Sequence, residues 1–235
     1  NDSRNISNET SVLSYSNLYK LNKIKTIDKV DTGSSVSLGF DYKINNLTEN
    51  NEIKSEKFRF SLGQIISAEE NRDMPSKSTL NEKMSDVIGE TSINFNENVK
   101  LTNSFLLDQN LENFNKNKIE LGMVYPKTNF NISFLEESQH IGDTKYLKTN
   151  AGFNFNNGLI SFGAKRNLLT DSAELYDLSY EYLNDCLKAG IAYRREFYRD
   201  RDLEPEDSLI FKITFSPLGT ITSPANWNEN KINIF

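Results

Sequence analysis

Apolar and polar residues alternate one by one over most of this chain, most clearly near the C-terminus. In YDLSYEYLNDCLKAGIAYRREFYRD (176–200) and SLIFKITFSPLG (208–219) the period is two. Leu187, Ala189, Ile191, Tyr193 and Phe197 fall on one face, opposite Lys188, Gly190, Arg194 and Glu196, because successive strand side chains point to opposite faces. Leu209, Phe211, Ile213 and Phe215 share a face opposite Ser208, Lys212 and Thr214. The spacings of three and four that mark a helix are missing. Asn184-Asp185 sits where a hairpin turn is wanted, since both residues tolerate left-handed backbone.

The rest of the chain repeats this plan. Residues 1–32 are polar and irregular, with a short ordered patch expected at 12–21. A first strand is expected over 33–44, with Val36, Leu38, Phe40 and Tyr42 on one face. A second, over 57–66, alternates Phe58, Phe60 and Leu62 with Arg59 and Ser61. After a polar loop at 67–84 hairpins follow steadily, and the total is about eleven strands of about 9–13 residues, a length that suits a tilted membrane-spanning strand. Connections alternate between short (96–98, 125–127, 156–158, 184–185) and long (67–84, 109–114, 138–143, 169–173, 200–207). In an up-and-down meander alternate connections lie at the same end. Short turns at one end and long loops at the other is the layout of a bacterial outer-membrane barrel.

The fold class expected is therefore all-β: an antiparallel up-and-down transmembrane β-barrel. Residues 1–32 form a polar loop segment, 33–216 the barrel part and 217–235 a periplasmic tail. A soluble meander barrel is the competing architecture, but it needs a densely apolar strand face throughout. This chain has a mean hydropathy of -0.59, and its apolar content leans on 15 Phe and 10 Tyr. Single-chain bacterial barrels are even-numbered, so an odd count points to the C-terminal part of a larger barrel. The start, NDSRNISNET, is no signal peptide, and the chain reads as mature or cut from something longer.

Charge and chemistry narrow the function by exclusion. A net charge of -6 with interspersed signs lacks the basic patch of a nucleic-acid surface. The only histidine, His140, lies in a long loop near Glu136, Glu137 and Asp143 with no positioned nucleophile, so no catalytic residue is expected. One His and one Cys far apart supply no metal-ligand spacing, and no cofactor is implied. Asp200, Asp202, Glu204, Glu206 and Asp207 read as a solvated acidic loop. Cys186, the single cysteine, cannot make an internal disulfide; on its own it reads as an idle thiol.

Four patches together resemble the C-terminal barrel region of the LptD family, the outer-membrane lipopolysaccharide translocon of Gram-negative bacteria. They are LNKIKTIDKVDTGSSVSLGFDYKI, where Asn22, Asp28, Gly33 and Gly39 match and Lys23, Ile24 and Lys29 depart; SLGQII, with Gly63-Gln64; the 74–110 stretch with Ser85-Asp86 and Gly89; and the 176–219 stretch with Cys186 and Tyr193-Arg194-Arg195. The resemblance implies lipopolysaccharide transport and outer-membrane assembly. The partners it implies are lipopolysaccharide, an LptE-type plug lipoprotein, outer-membrane lipid, and periplasmic bridge proteins reached through an N-terminal domain absent from this chain. It implies a disulfide from Cys186 to that absent region. It also implies that the strand Ser208, Leu209, Ile210, Phe211, Lys212, Ile213, Thr214, Phe215 forms one side of a lateral gate. An ordinary closing strand would look the same in sequence, and a general porin-like diffusion channel is the alternative function.

Overall fold

The structure is a computed structural model. It describes residues 13–20, 33–49, 52–71, 74, 79–138, 143–184, 186–197, 206–215 and 219–224. Asn22, Lys23, Ile24, Asp28, Lys29, His140, Asp200, Asp202 and Glu204 lie outside the described residues.

Twelve strands follow one another in chain order within one sheet, each hydrogen-bonded to the next. They are β1 Ser35–Leu47, β2 Ile53–Ser67, β3 Val87–Asn94, β4 Val99–Leu107, β5 Phe114–Tyr125, β6 Thr128–Glu137, β7 Thr144–Phe155, β8 Gly158–Asn167, β9 Ser172–Leu183, β10 Leu187–Glu196, β11 Glu206–Phe215 and β12 Gly219–Pro224. The antiparallel meander matches the sequence expectation, and the alternation of connections does so except that 48–52 is one residue longer than 168–171. Residues 48–52, 95–98, 126–127, 156–157 and 184–186 make the short set. Residues 68–86, 108–113, 138–143, 168–171 and 197–205 make the other, with 168–171 its shortest member.

Three boundaries differ from expectation. β1 runs on past the expected end at 44 to Leu47 and β2 starts at Ile53 rather than 57, with two register shifts after Ile44 absorbing the polar residues. β11 begins at Glu206, inside the expected acidic loop; Asp207 accepts from Tyr193 Oη at 3.3 Å and pairs with Arg195 Nε at 3.4 Å. The twelfth strand, β12, lies in what the sequence assigned to a tail. GTITSP lacks an apolar alternation; its extended state follows from the ladder with β11, in which Ile213 opposes Ile221 and Phe215 opposes Gly219. β11 is thus paired on both sides, to β10 and to β12.

Two compact units divide the chain: 1–121 with 133–145, and 122–132 with 146–235. In the first unit the register places Val36, Leu38, Phe40, Tyr42 and Ile44 of β1 beside Ile66, Gln64, Leu62, Phe60 and Phe58 of β2. The β1 side chains on this face are exposed. Ser37, Gly39, Asp41 and Lys43 take the other face, beside Ile65, Gly63, Ser61 and Arg59. The second unit repeats the split. Tyr176, Leu178 and Tyr180 of β9 oppose Arg195, Tyr193 and Ile191 of β10, and Tyr193 and Ile191 oppose Leu209 and Phe211 of β11. Asp177, Ser179 and Glu181 take the opposite face with Arg194, Ala192 and Gly190. In the second unit the more exposed face is the apolar one, inverted relative to a water-soluble protein; in the first the same holds on β2, while β1 is exposed on both faces.

Among the described residues, a cluster of buried apolar side chains lies on the polar face of the first unit. Leu13, Leu18, Ile65, Met74, Leu80, Ile88 and Leu106 form it, with Tyr15 against them. It sits where β2 ends and β3 begins, under the 68–86 connection.

Candidate functional site: a polar face and its charge pairs

Residues 13–20 are docked on the polar face of β1 to β3. A 3-10 turn, Tyr15–Asn17, starts them: Asn17 Oδ1 accepts from the Ser14 N–H at 2.7 Å. The turn aims Tyr15 at β1, where its hydroxyl donates to Asp41 Oδ2 at 2.6 Å. Ser61 Oγ donates to the other oxygen, Oδ1, at 2.5 Å. Burial, then the bond to Asp41, pushes the Tyr15 hydroxyl above its ordinary range, so it stays a donor at physiological pH. Ser37 Oγ donates to Leu18 O at 2.8 Å.

Leu18 drops into a slot between two glycines. Gly39 and Gly63 are directly opposed across β1 and β2. A Cβ on Gly63 would stand 2.2 Å from Leu18 Cδ2, and one on Gly39 would stand 1.8 Å from Tyr19 Oη. The absence of two side chains thus creates the seat.

Gly63-Gln64 and Ser85-Asp86, two of the sequence patches, meet across the long connection. Gln64 Nε2 donates to Ser85 O at 3.0 Å, and the Ile65 N–H donates to Ser85 Oγ at 2.9 Å. Asp86 is 2% exposed, with Asn115 Nδ2 donating to its Oδ2 at 2.8 Å. Burial outweighs that hydrogen bond and pushes its carboxyl up to about 6. The native state therefore binds a proton more tightly than the unfolded chain. Stability falls as pH rises from the unfolded pKa, near 3.8, to about 6, and stays lowered above it. Asp86→Asn keeps an acceptor for Asn115 and removes the titration. Near pH 7.5 it is expected to stabilise the protein by about 1–2 kcal/mol, with solvent screening at the loop end, and the gain should close below about pH 4. Thermal melts of both proteins across pH measure this; a gain that persists unchanged in acid counts against the cause.

On the polar face of the second unit, cross-strand ion pairs replace apolar packing. Lys188 Nζ lies 2.6 Å from Glu181 Oε1, Arg194 Nη2 lies 2.9 Å from Asp177 Oδ2, and Lys165 Nζ lies 2.7 Å from Glu174 Oε2 and 4.7 Å from the Tyr146 ring centroid. Such a surface stays wet, because isolated charges tolerate burial poorly.

Among the sequence-predicted site residues, Cys186 is exposed and free, just ahead of β10 in the 184–186 connection. On β11, Leu209, Phe211 and Ile213 are exposed on the apolar face, and Ser208, Ile210, Lys212 and Thr214 are half-buried opposite. Phe215 opposes Leu187 on β10. Cys186 and β11 belong to the second unit, the Leu18 slot and Asp86 to the first. The docking of 13–20 and the Ser85-Asp86 corner were not singled out as functional from the sequence. A signal existed: Ile65-Ile66, Val87-Ile88 and Leu106-Leu107 are apolar doublets at strand ends, which break the alternation because the otherwise polar face is covered there, with Ile65, Ile88 and Leu106 buried.

The family described as LptD, LPS transport system D, matches residues 1–167. The chain belongs to the LptD family. The match spans three of the four patches and β1 to β8; Cys186 and β11 lie beyond it. Membership ties the chain to lipopolysaccharide transport and to the outer membrane. Among curated proteins none matches. Among solved structures, one triple mutant of Rhodopseudomonas blastica porin is similar at a TM-score of 0.41 and 9% identity, covering 84% of this chain and 87% of that one. A second triple mutant gives 0.42 and 11%, covering 85% and 89%.

Proposed function

We propose that this chain is part of the outer-membrane barrel that delivers lipopolysaccharide into the outer leaflet. The observation that carries the reading is the inverted segregation of faces: an exposed apolar face for lipid, and a polar face bridged by ion pairs for a wet lumen. Sugars and phosphates would pass along the polar face, while acyl chains leave through an opening between strands. Residues 208–215 of β11, with β12 paired beyond them, form one lip of that opening. An LptE-type lipoprotein would plug the lumen, and Cys186, at the short-turn end, would join by disulfide to a periplasmic domain. That compartment permits disulfides.

The test is made in cells that depend on this protein. A photo-reactive residue at Phe211 should cross-link lipopolysaccharide in transit, and one at Tyr42 on β1 should not. Cys186→Ser should abolish a mobility difference between reduced and non-reduced gels. No adduct from β11, with free passage of small sugars instead, would favour a porin-like channel and overturn the reading.

A further inference from the structure

The apolar face of the second unit carries a groove at its short-turn end that nothing above accounts for. The register sets Phe153, Ile160 and Tyr180 in one cross-strand row and Phe155, Gly158 and Tyr182 in the next, all on one face. Phe153, Phe155 and Tyr180 are about half exposed. Gly158 keeps the floor open: a Cβ there would stand 3.2 Å from Tyr180 Cε2. The groove encloses about 630 Å³, with Lys127 on its rim. That is within the roughly 300–1,000 Å³ range of small-ligand sites. The Asn154 N–H donates to Lys127 O at 2.7 Å and ties the 126–127 turn to this rim. Lys127 is exposed and has no ion pair among the described residues.

We propose that this groove binds one phospholipid of the leaflet at the short-turn end, with its phosphate on Lys127 and its acyl chains across Phe153, Phe155, Tyr180 and Tyr182. The inference rests on the reading of the apolar face as lipid-facing. An open ring-lined slot beside an uncompensated ammonium matches an anionic amphiphile. Lipopolysaccharide is excluded by side: long loops mark the outer surface and short turns the periplasmic one. Aromatic belts at that depth are general in barrels; a groove with one cation at its mouth makes a discrete site of part of one.

The protein in vesicles of phosphatidylethanolamine and phosphatidylglycerol, extracted into mild detergent, should retain a phospholipid countable by native mass spectrometry. Lys127→Glu should lower that retention about fivefold or more, the equivalent of one surface cation, and Lys127→Arg should restore it. Gly158→Leu fills the floor and should lower retention with the rim charge intact. A photo-reactive residue at Phe162, on the same face farther along β8, reports on the membrane reading separately. Acyl adducts at Phe162 with equal retention in wild type and Lys127→Glu overturn the groove and leave the barrel standing. No adduct at Phe162 overturns both.

Discussion

Leu18→Ala is expected to release residues 13–20 from the polar face, at a cost of about 2–5 kcal/mol for a fully buried leucine. Leu18 is 0% exposed and touches backbone on one side, because Gly39 and Gly63 offer no side chains. Two paired strands cannot close in to fill the space, so most of the cavity would persist. The remaining anchors include the buried Leu13 and the Tyr15–Asp41 and Ser37–Leu18 hydrogen bonds. Each hydrogen bond contributes about 0.5–1.5 kcal/mol net, so the loss of Leu18 removes a large share of what holds an irregular segment in place. Amide exchange should therefore accelerate at 13–20 well before the β1–β2 ladder opens. Gly63→Ala should act in the same direction through overpacking, by about 1–3 kcal/mol, because the Leu38 carbonyl oxygen at 3.2 Å and the buried Leu18 both crowd the new methyl. Gly39→Ala should cost less, since its nearest neighbour is the hydroxyl of Tyr19, 61% exposed and able to swing away. Unchanged exchange at 13–20 in Leu18→Ala would sink the idea that the slot holds the segment.

The strands were legible because their two faces differ in chemistry. A residue such as Leu178 lies on the exposed apolar face and its neighbours Asp177 and Ser179 on the polar one, so the alternation is written in chemistry as well as in period. Loop bookkeeping was legible for a related reason: at 126–127 and 156–157 one strand pattern gives way to the next within two residues, while β2 and β3 are separated by the whole of 68–86. β12 was not legible, because a short polar segment takes its state from the neighbouring strand rather than from its own residues. The seat of Leu18 was half legible. An ordered patch at 12–21 was expected, but where it docks depends on Gly39 and Gly63 meeting across β1 and β2, and one sequence does not state which glycines oppose each other. The ion pairs were hidden for the same reason: Lys188 and Glu181 are near in space only once the β9–β10 register is set.

That face assignment can be tested at two adjacent residues. Leu178→Arg should destabilise the inserted protein by about 2–4 kcal/mol, the cost of a cation near mid-depth on a lipid face. Ser179→Arg, one position along the same strand, should be tolerated to within about 1 kcal/mol, because it joins a face that already carries Arg194, Glu181 and Lys188. Leu178 lies mid-strand in β9, between Phe162 and Tyr193 on the neighbouring strands, and is 51% exposed. In water such an exposed leucine gains nothing by staying apolar, and Leu178→Arg would be neutral or favourable. Reversible folding into short-chain lipid vesicles, followed by denaturant titration, gives both free energies on one scale. Equal and small effects at the two positions would mean that the apolar face meets water, and the membrane reading would fall with it. A large penalty confined to Leu178 would fix which side of β8, β9 and β10 meets lipid, and by the same parity assign the ion-paired side to the lumen.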